Sequence, residues 1–258
     1  MLWVQRGFRV FFKRPMAFAA LFASFMFAVF LLALLPAIGP VLVLAALPLV
    51  SLAFMLATSI AVRGGFPTPR VFIEPLRVDR ARLMAMLELG LAYAVATYAV
   101  MWLSDLVDGG AFEALMDALP AGQGSADDVA QKIGAPGLAF GMLLRFGLAG
   151  ILAVPFWHAP ALVYWDNHGC AKALFSSTLA CWRNRGAFAI YSLVWFALIA
   201  SFGVLGSMLF SMAGQPQLLA IVAVPVSLIF STVFYVSLYF TFSDCFVAAE
   251  SVVVPDAA

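Results

Sequence analysis

Charged residues are scarce in this sequence. Only 10% of its 258 residues are Asp, Glu, Lys or Arg, whereas soluble domains carry about 25%. Hydrophobic residues make up 65%, and the mean hydropathy is +1.05. A chain with so little charge and so many apolar side chains cannot cover a folded domain with a polar surface that water would solvate. This composition excludes a soluble domain and indicates an integral membrane protein.

Histidine and cysteine are also scarce, and neither sign of charge is in excess. The chain has two histidines, three cysteines and a net charge of +1. A near-neutral balance excludes the broad basic surface that recruits nucleic acid. No metal-binding, phosphate-binding or nucleophile motif occurs, so the sequence predicts no metal, no cofactor and no enzymatic activity. The odd cysteine count predicts free thiols in a reducing compartment.

Long apolar runs dominate what is present. A helix needs about 20 apolar residues to cross the hydrocarbon core. Six runs meet this requirement, and we predict spans at residues 15–36, 40–62, 83–104, 137–157, 187–210 and 218–242. Helix is required because backbone in lipid must satisfy its own hydrogen bonds. The predicted fold is an all-α bundle of six transmembrane helices, forming one membrane domain over residues 1–258.

The basic residues predict the orientation of the bundle. Twelve of the 14 lysines and arginines lie before the first span, between spans two and three, or between spans four and five. Such loops face the cytoplasm in bacterial inner-membrane proteins. We therefore expect both termini and residues 63–82 and 158–186 to be cytoplasmic. Residues 105–136, which are rich in acid, are expected to form the periplasmic loop.

Two segments with alternating basic and apolar residues precede spans one and five. Within the segments 1–14 and 158–186, residues 2–14 and 170–185 each have the pattern of an amphipathic helix that lies in the headgroup layer, and a turn at residues 166–169 precedes the second helix. The residues expected to meet anionic lipid headgroups are Arg6, Arg9, Lys13, Arg14, Arg183 and Arg185. Two alternatives remain for these segments: simple anchoring, or regulated lipid binding.

The two segments also start two similar halves. Each is followed by a two-helix hairpin whose second helix carries a proline, Pro48 in one half and Pro225 in the other. Spans one and two would then correspond to spans five and six in a parallel internal repeat. Chance recurrence of apolar residues is the alternative.

Two ionisable residues fall within predicted spans, where charge is costly and indicates function. They are Arg145 in span four and Glu88 in span three. Small residues share their helix faces and predict close helix packing: Gly137 and Gly141 near Arg145, and Ala92 and Ala96 near Glu88. Three alternatives remain: the two residues pair, each reaches separately toward its own end of the membrane, or they line a path for a solute or proton.

Three stretches carry a family resemblance. The opening Gly7–Pro15, the hairpin Pro36–Gly39–Pro40, and the region from Ala159 to Asn184 resemble a family of uncharacterised six-span inner-membrane proteins of proteobacteria. More distantly, the chain is similar to the membrane domain attached to some glycerophosphodiester phosphodiesterases, without their catalytic domain. The resemblance implies the fold and contributes no catalytic residues.

These observations predict a non-enzymatic bacterial inner-membrane protein. We expect an accessory or scaffold subunit that packs with itself or with another membrane complex, with anionic lipids around it. The alternative is a small-solute or lipid transporter that uses the faces of spans three and four around Arg145 and Glu88.

Overall fold

The structure is a computed structural model that describes residues 2–118, 136–215 and 217–246. These residues form ten α-helices and no strand. The helices are α1 (Leu2–Lys13), α2 (Pro15–Ala33), α3 (Ile38–Val62), α4 (Arg80–Asp108), α5 (Ala111–Ala118), α6 (Pro136–Phe156), α7 (Ala159–Asp166), α8 (Cys170–Arg183), α9 (Arg185–Met212) and α10 (Gln217–Phe246). Two short 3₁₀ turns, Pro69–Phe72 and Glu74–Leu76, join α3 to α4.

Six segments of the described chain are long and apolar enough to cross a membrane. They are α2, α3, α4, the continuous stretch from Gly137 to Asp166, α9 and α10. The prediction of an all-α bundle with six spans is confirmed. The bundle has two ends. The end where α4 finishes at Asp108 and α6 begins is called the acidic end, and the end where α4 begins at Arg80 is called the basic end.

Two predicted boundaries differ in a way that matters for function. Span three was expected to stop at residue 104, but α4 continues to Asp108 and ends only where Gly109 adopts a left-handed conformation with φ 63°. The expected loop of residues 105–136 therefore starts with a last helical turn, continues into α5, and has residues 119–135 outside the described part of the chain. Two acidic residues of the predicted loop belong to the bundle instead.

The segment at residues 158–186 is also divided. Its first part, α7, is not amphipathic: Ala159, Leu162 and Val163 are fully buried in the core. The amphipathic part is α8, which begins only at Cys170 after a left-handed turn at Asn167. The predicted turn at residues 166–169 and the amphipathic helix after it agree with the structure, whereas α7, before the turn, has apolar residues on all sides and packs inside the protein.

The core lies toward the basic end, where α1, α3, α7 and α10 meet. Residues 52–58 of α3 are all buried, and Phe54 stacks on Tyr235 of α10 with ring centroids 5.1 Å apart. Close approach of α4 to α3 depends on Gly90, because a methyl group there would collide with the Ala45 carbonyl oxygen. The helices spread toward the acidic end, where fewer side chains are buried.

The apolar face of α1 packs against the bundle, although the sequence predicts a helix that buries this face in the lipid headgroup layer. Val4, Gly7 and Phe11 lie at helical spacing and are buried against the bundle. A methyl group at Gly7 would lie 3.0 Å from the Ser237 Cβ of α10, so the two helices are in close contact. Trp3 Nε1 donates a 2.7 Å hydrogen bond to Asp244 at the end of α10. The apolar face of α1 therefore packs mainly against the protein and not against lipid.

The order of elements matches the two predicted halves. Helix α1 precedes the pair α2 and α3, and α8 precedes the pair α9 and α10. Pro48 and Pro225 both lie inside the second helix of their pair. The internal repeat itself stays a prediction.

Candidate functional site

Arg145 lies on α6 and extends toward the acidic end. It is nine residues after the start of α6, which corresponds to about 14 Å of helix. Helical side chains lean toward the N-terminus of their own helix, and for α6 this direction leads to the acidic end. An arginine in this position reaches the edge of the hydrocarbon while its stem stays in the apolar layer.

Two carboxylates meet the guanidinium there. Arg145 Nη2 pairs with Asp105 Oδ1 and lies 3.4 Å from Asp108 Oδ2. The Asp108 side chain is fully buried, and that of Arg145 is only 11% exposed, so this part of the contact is shielded from water. The carbonyl end of a helix disfavours negative charge, and both acids lie in the last turn of α4. The arginine compensates that unfavourable position.

Phe112 covers the guanidinium from the other side. The Arg145 Cζ lies 3.9 Å from the centroid of the Phe112 ring, a distance at which a cation is attracted to the face of an aromatic ring. Two further donors of the same group, Nε and Nη1, are buried without a hydrogen-bond partner among the described residues. The site therefore holds one cation, two carboxylates and unused hydrogen-bonding capacity.

The predicted small residues of α6 make this site possible. Gly137 packs against the backbone of Asp108, whose carbonyl oxygen would lie 3.4 Å from an added methyl group. At Gly141 the same methyl group would collide with the Asp108 side chain. The glycines thus bring α6 against the last turn of α4. Ala92 and Ala96, the other predicted packing residues, are half-buried, while Ala94 between them is fully buried.

Glu88 is not part of this arrangement. It lies 17 residues before Asp105 on α4, about 25 Å along the helix axis, and its side chain is exposed. The structure therefore does not bring Arg145 and Glu88 together, and the geometry corresponds to the alternative in which each residue reaches toward its own end. At the basic end, burial first and then the Glu88 charge raise the pKa of the Cys170 thiol.

The six predicted headgroup residues divide into two groups. Arg6 donates to Asp244 Oδ1 at 3.0 Å, and Arg14 donates to the Gly64 carbonyl at 2.6 Å, so both are held by the protein. The exposed residues are Arg9, Lys13, Arg183 and Arg185. Arg185 lies over the Trp182 ring at 5.6 Å.

A buried polar network at the basic end was not predicted. His158 lies between α6 and α7, and its side chain is fully buried. Trp157 Nε1 donates to Thr241 Oγ1 at 3.1 Å, and the Thr241 hydroxyl donates to the Leu238 carbonyl. His158 Nε2 lies 3.2 Å from the same oxygen. Because the threonine proton is used, Nε2 must carry the imidazole proton.

The second ring nitrogen of His158 faces a thiol. His158 Nδ1 lies 4.0 Å from Cys181 Sγ, and burial, followed by the nearby Cys245, raises the pKa of Cys181 to about 12. A thiol with a raised pKa indicates a structural network, because a reactive cysteine needs a lowered pKa. Within the described residues, no three His, Cys, Asp or Glu side chains are grouped as metal ligands.

One signal in the sequence indicates the acidic partners of Arg145. Asp105 and Asp108 follow span three directly, three residues apart, and the pair Gly109 and Gly110 comes immediately after them. A glycine just past the last helical residue is a strong helix stop. Placing the end of the helix there would have put both carboxylates on α4.

A comparison with known proteins gives the family. The chain is 33% identical over 252 residues to a probable inner membrane protein of Burkholderia thailandensis, with 96% of this chain and 91% of that protein covered. This chain belongs to that inner-membrane family. No family model matches it, and no solved structure matches it significantly. The inner-membrane assignment agrees with the six apolar helices of the structure, whereas the distant likeness to a phosphodiesterase membrane domain stays an expectation.

Proposed function

We propose that this inner-membrane protein is a non-enzymatic scaffold subunit that pairs through the outward face of α9. Helix α9 has 28 residues, of which only Tyr191 and Trp195 are buried. Both lie in its first half, so the half toward the acidic end has no buried residue. This half also has a face of small residues, on which the proposal rests.

Small and polar residues lie on the outward face of α9, together with the exposed side chain of Val204. At 100° per residue, Ala200, Ser207 and Ser211 lie on the side opposite the two buried aromatic residues, and Gly203 lies beside them. An added methyl group at Gly203 would meet nothing within 4 Å. Helix pairs in membranes use such small residues at four-residue spacing to bring their backbones together.

The two serines support a protein partner over lipid. Ser207 and Ser211 are exposed, and in the described part of the chain neither hydroxyl makes a hydrogen bond. The exposed Ser227 of α10 donates to a carbonyl of its own helix, whereas Ser192 and Ser201 of α9 likewise make no hydrogen bond with described residues. A hydroxyl without a partner is costly in hydrocarbon, and a second helix across the small face would supply an acceptor.

Self-association in liposomes tests this proposal. Copies labelled with donor and acceptor dyes should show energy transfer that falls as unlabelled protein is added. Ser207→Leu should abolish the transfer because leucine holds the backbones apart. Ser201→Leu is the matched control, since Ser201 is exposed on α9 about 80–120° away from the small face. If the wild type is monomeric and a photo-crosslinker at position 207 captures no protein in native membranes, the scaffold proposal is wrong.

Anionic lipids are the proposed surroundings of the basic end. Arg9, Lys13, Arg183 and Arg185 are exposed there, and each basic residue near an anionic surface contributes about 1 kcal/mol of attraction. This proposal includes the cytoplasmic orientation of that end, which follows from the same distribution of basic residues.

Transport is the second candidate function, now centred on Arg145 with Asp105 and Asp108 instead of Glu88. Arg145 Nε and Nη1 favour it, because they are buried without a hydrogen-bond partner among the described residues, and a site with a functional role is one explanation for such groups. Proton flux into liposomes under a pH gradient tests it. Asp108→Asn should abolish the flux, whereas Glu88→Gln should not. Equal, background-level flux in all variants would contradict this candidate.

A further inference from the structure

A cavity of about 160 Å³ lies between α3, α4, α6 and α10. Pro48, Tyr93, Phe156, Trp157, Phe234 and Tyr235 are among the residues that line it. Tyr93 is 13 residues from the start of α4, about 20 Å along that helix, and α4 has 29 residues. The cavity is therefore near the middle of the membrane-crossing part of the bundle.

Two of the four polar side chains around this cavity already have partners. The Ser51 hydroxyl donates to the Pro48 carbonyl at 2.8 Å, and the Trp157 N–H donates to Thr241. The exceptions are the hydroxyls of Tyr93 and Tyr235. Neither makes a hydrogen bond with any described residue, although both side chains are only partly exposed.

Both tyrosine rings are fixed by aromatic neighbours. Tyr93 meets Phe156 edge to face at 5.0 Å, and Tyr235 stacks on Phe54 at 5.1 Å. These contacts favour one orientation of each ring. Two donors are thus presented at one cavity, at a depth where an unpaired hydroxyl is costly.

We propose that this cavity binds the ring of a membrane-soluble quinone, whose carbonyl oxygens accept hydrogen bonds from Tyr93 and Tyr235. A space of about 150 Å³ in a protein core holds one benzene-sized ring. Lipid headgroups stay at the membrane surface, so a carbonyl acceptor at mid-depth must belong to a molecule that dissolves in the hydrocarbon. The walls of Phe156, Trp157 and Phe234 suit a flat ring.

A second cavity suits an acyl chain better than the cavity lined by Tyr93 and Tyr235 does. It lies between α1, α2 and α10 with a volume of about 330 Å³, and it is lined by apolar residues and Thr232. The Thr232 hydroxyl is already bonded to the Leu228 carbonyl at 2.7 Å. That cavity offers no free donor and suits a lipid tail, whereas the tyrosine cavity offers two.

Decylubiquinone is the probe, and quenching of tryptophan fluorescence is the measurement, because Trp157 lines the cavity. We expect saturable quenching of the purified protein in nanodiscs by the quinone. Decylbenzene, which has the tail and a ring but no carbonyl, should compete with the quinone weakly or not at all. Tyr93→Phe and Tyr235→Phe should each raise the Kd for the quinone about fivefold, the loss expected for one hydrogen bond.

Matched variants separate a lost hydrogen bond from a disturbed fold. Tyr98→Phe, on an exposed position of α4, should leave the Kd unchanged, and Ala153→Phe should block binding by filling the cavity. Binding of decylbenzene as tight as that of the quinone, or wild-type affinity in both tyrosine variants, would overturn the proposal. These results do not depend on pairing through α9, so this site and the scaffold function can fail separately.

Discussion

Gly141 of α6 lies so close to Asp108 of α4 that a methyl group at position 141 would overlap the Asp108 side chain. This contact places the Asp108 carboxylate 3.4 Å from Arg145 Nη2, four residues farther along α6. The absence of a side chain at Gly141 therefore allows Asp108 to lie beside Arg145.

Replacement of Gly141 should consequently destabilise the protein. Gly141→Ala forces Asp108 or α6 to move, and overpacking of this kind costs about 1–3 kcal/mol. Gly147→Ala is the matched control, since nothing lies within 4 Å of a methyl group at that exposed position of the same helix. Thermal unfolding of both variants in one detergent measures the difference. Equal melting temperatures would show that the helices do not meet at Gly141.

The Arg145 ion pair should respond to its carboxylate partners and not to Glu88. Arg145→Leu leaves the buried Asp108 carboxylate uncompensated, and removing one partner of a buried pair costs about 3–5 kcal/mol. Adding Asp108→Asn should restore much of that loss. Adding Glu88→Gln should restore none, because Glu88 is exposed and far along α4. The opposite pattern in a thermal melt of the single and double variants would disprove the pairing.

Asp244 should hold α1 against the bundle. Its carboxylate accepts hydrogen bonds from Trp3 at 2.7 Å and from Arg6 at 3.0 Å. Both charged side chains are about two-fifths exposed, at 41% and 38%, so the ion pair contributes only about 1 kcal/mol or less. Asp244→Asn should therefore raise hydrogen exchange of residues 2–13 by no more than about fivefold.

Arg9→Gln is the control for that measurement. Arg9 is exposed and makes no hydrogen bond or ion pair with described residues, so exchange in α1 should not change. Its effect should appear in binding to anionic vesicles instead. If Asp244→Asn and Arg9→Gln accelerate exchange equally, the Asp244 contacts do not hold α1.

The orientation of the bundle can be measured at two exposed positions. Thr68 lies in the basic segment between α3 and α4, and Gln215 lies in the turn between α9 and α10. In a cysteine-free variant, a cysteine at Gln215 should react with an impermeant reagent in spheroplasts, whereas one at Thr68 should react only after the membrane is opened. Labelling of both positions from the same side would contradict the six-span topology.

The sequence by itself determined the six spans, because length and apolar content are enough to require membrane helices. It also showed that Arg145 is exceptional, since a charge among apolar residues stands out in one dimension. Tertiary structure decided which carboxylates meet that arginine, because α4 continues through Asp108 and the close approach at Gly141 brings the two helices together. It also decided that Tyr93 and Tyr235, 142 positions apart in the chain, line one cavity. Spacing along the chain does not reveal such a meeting, because it depends on how four separate helices pack.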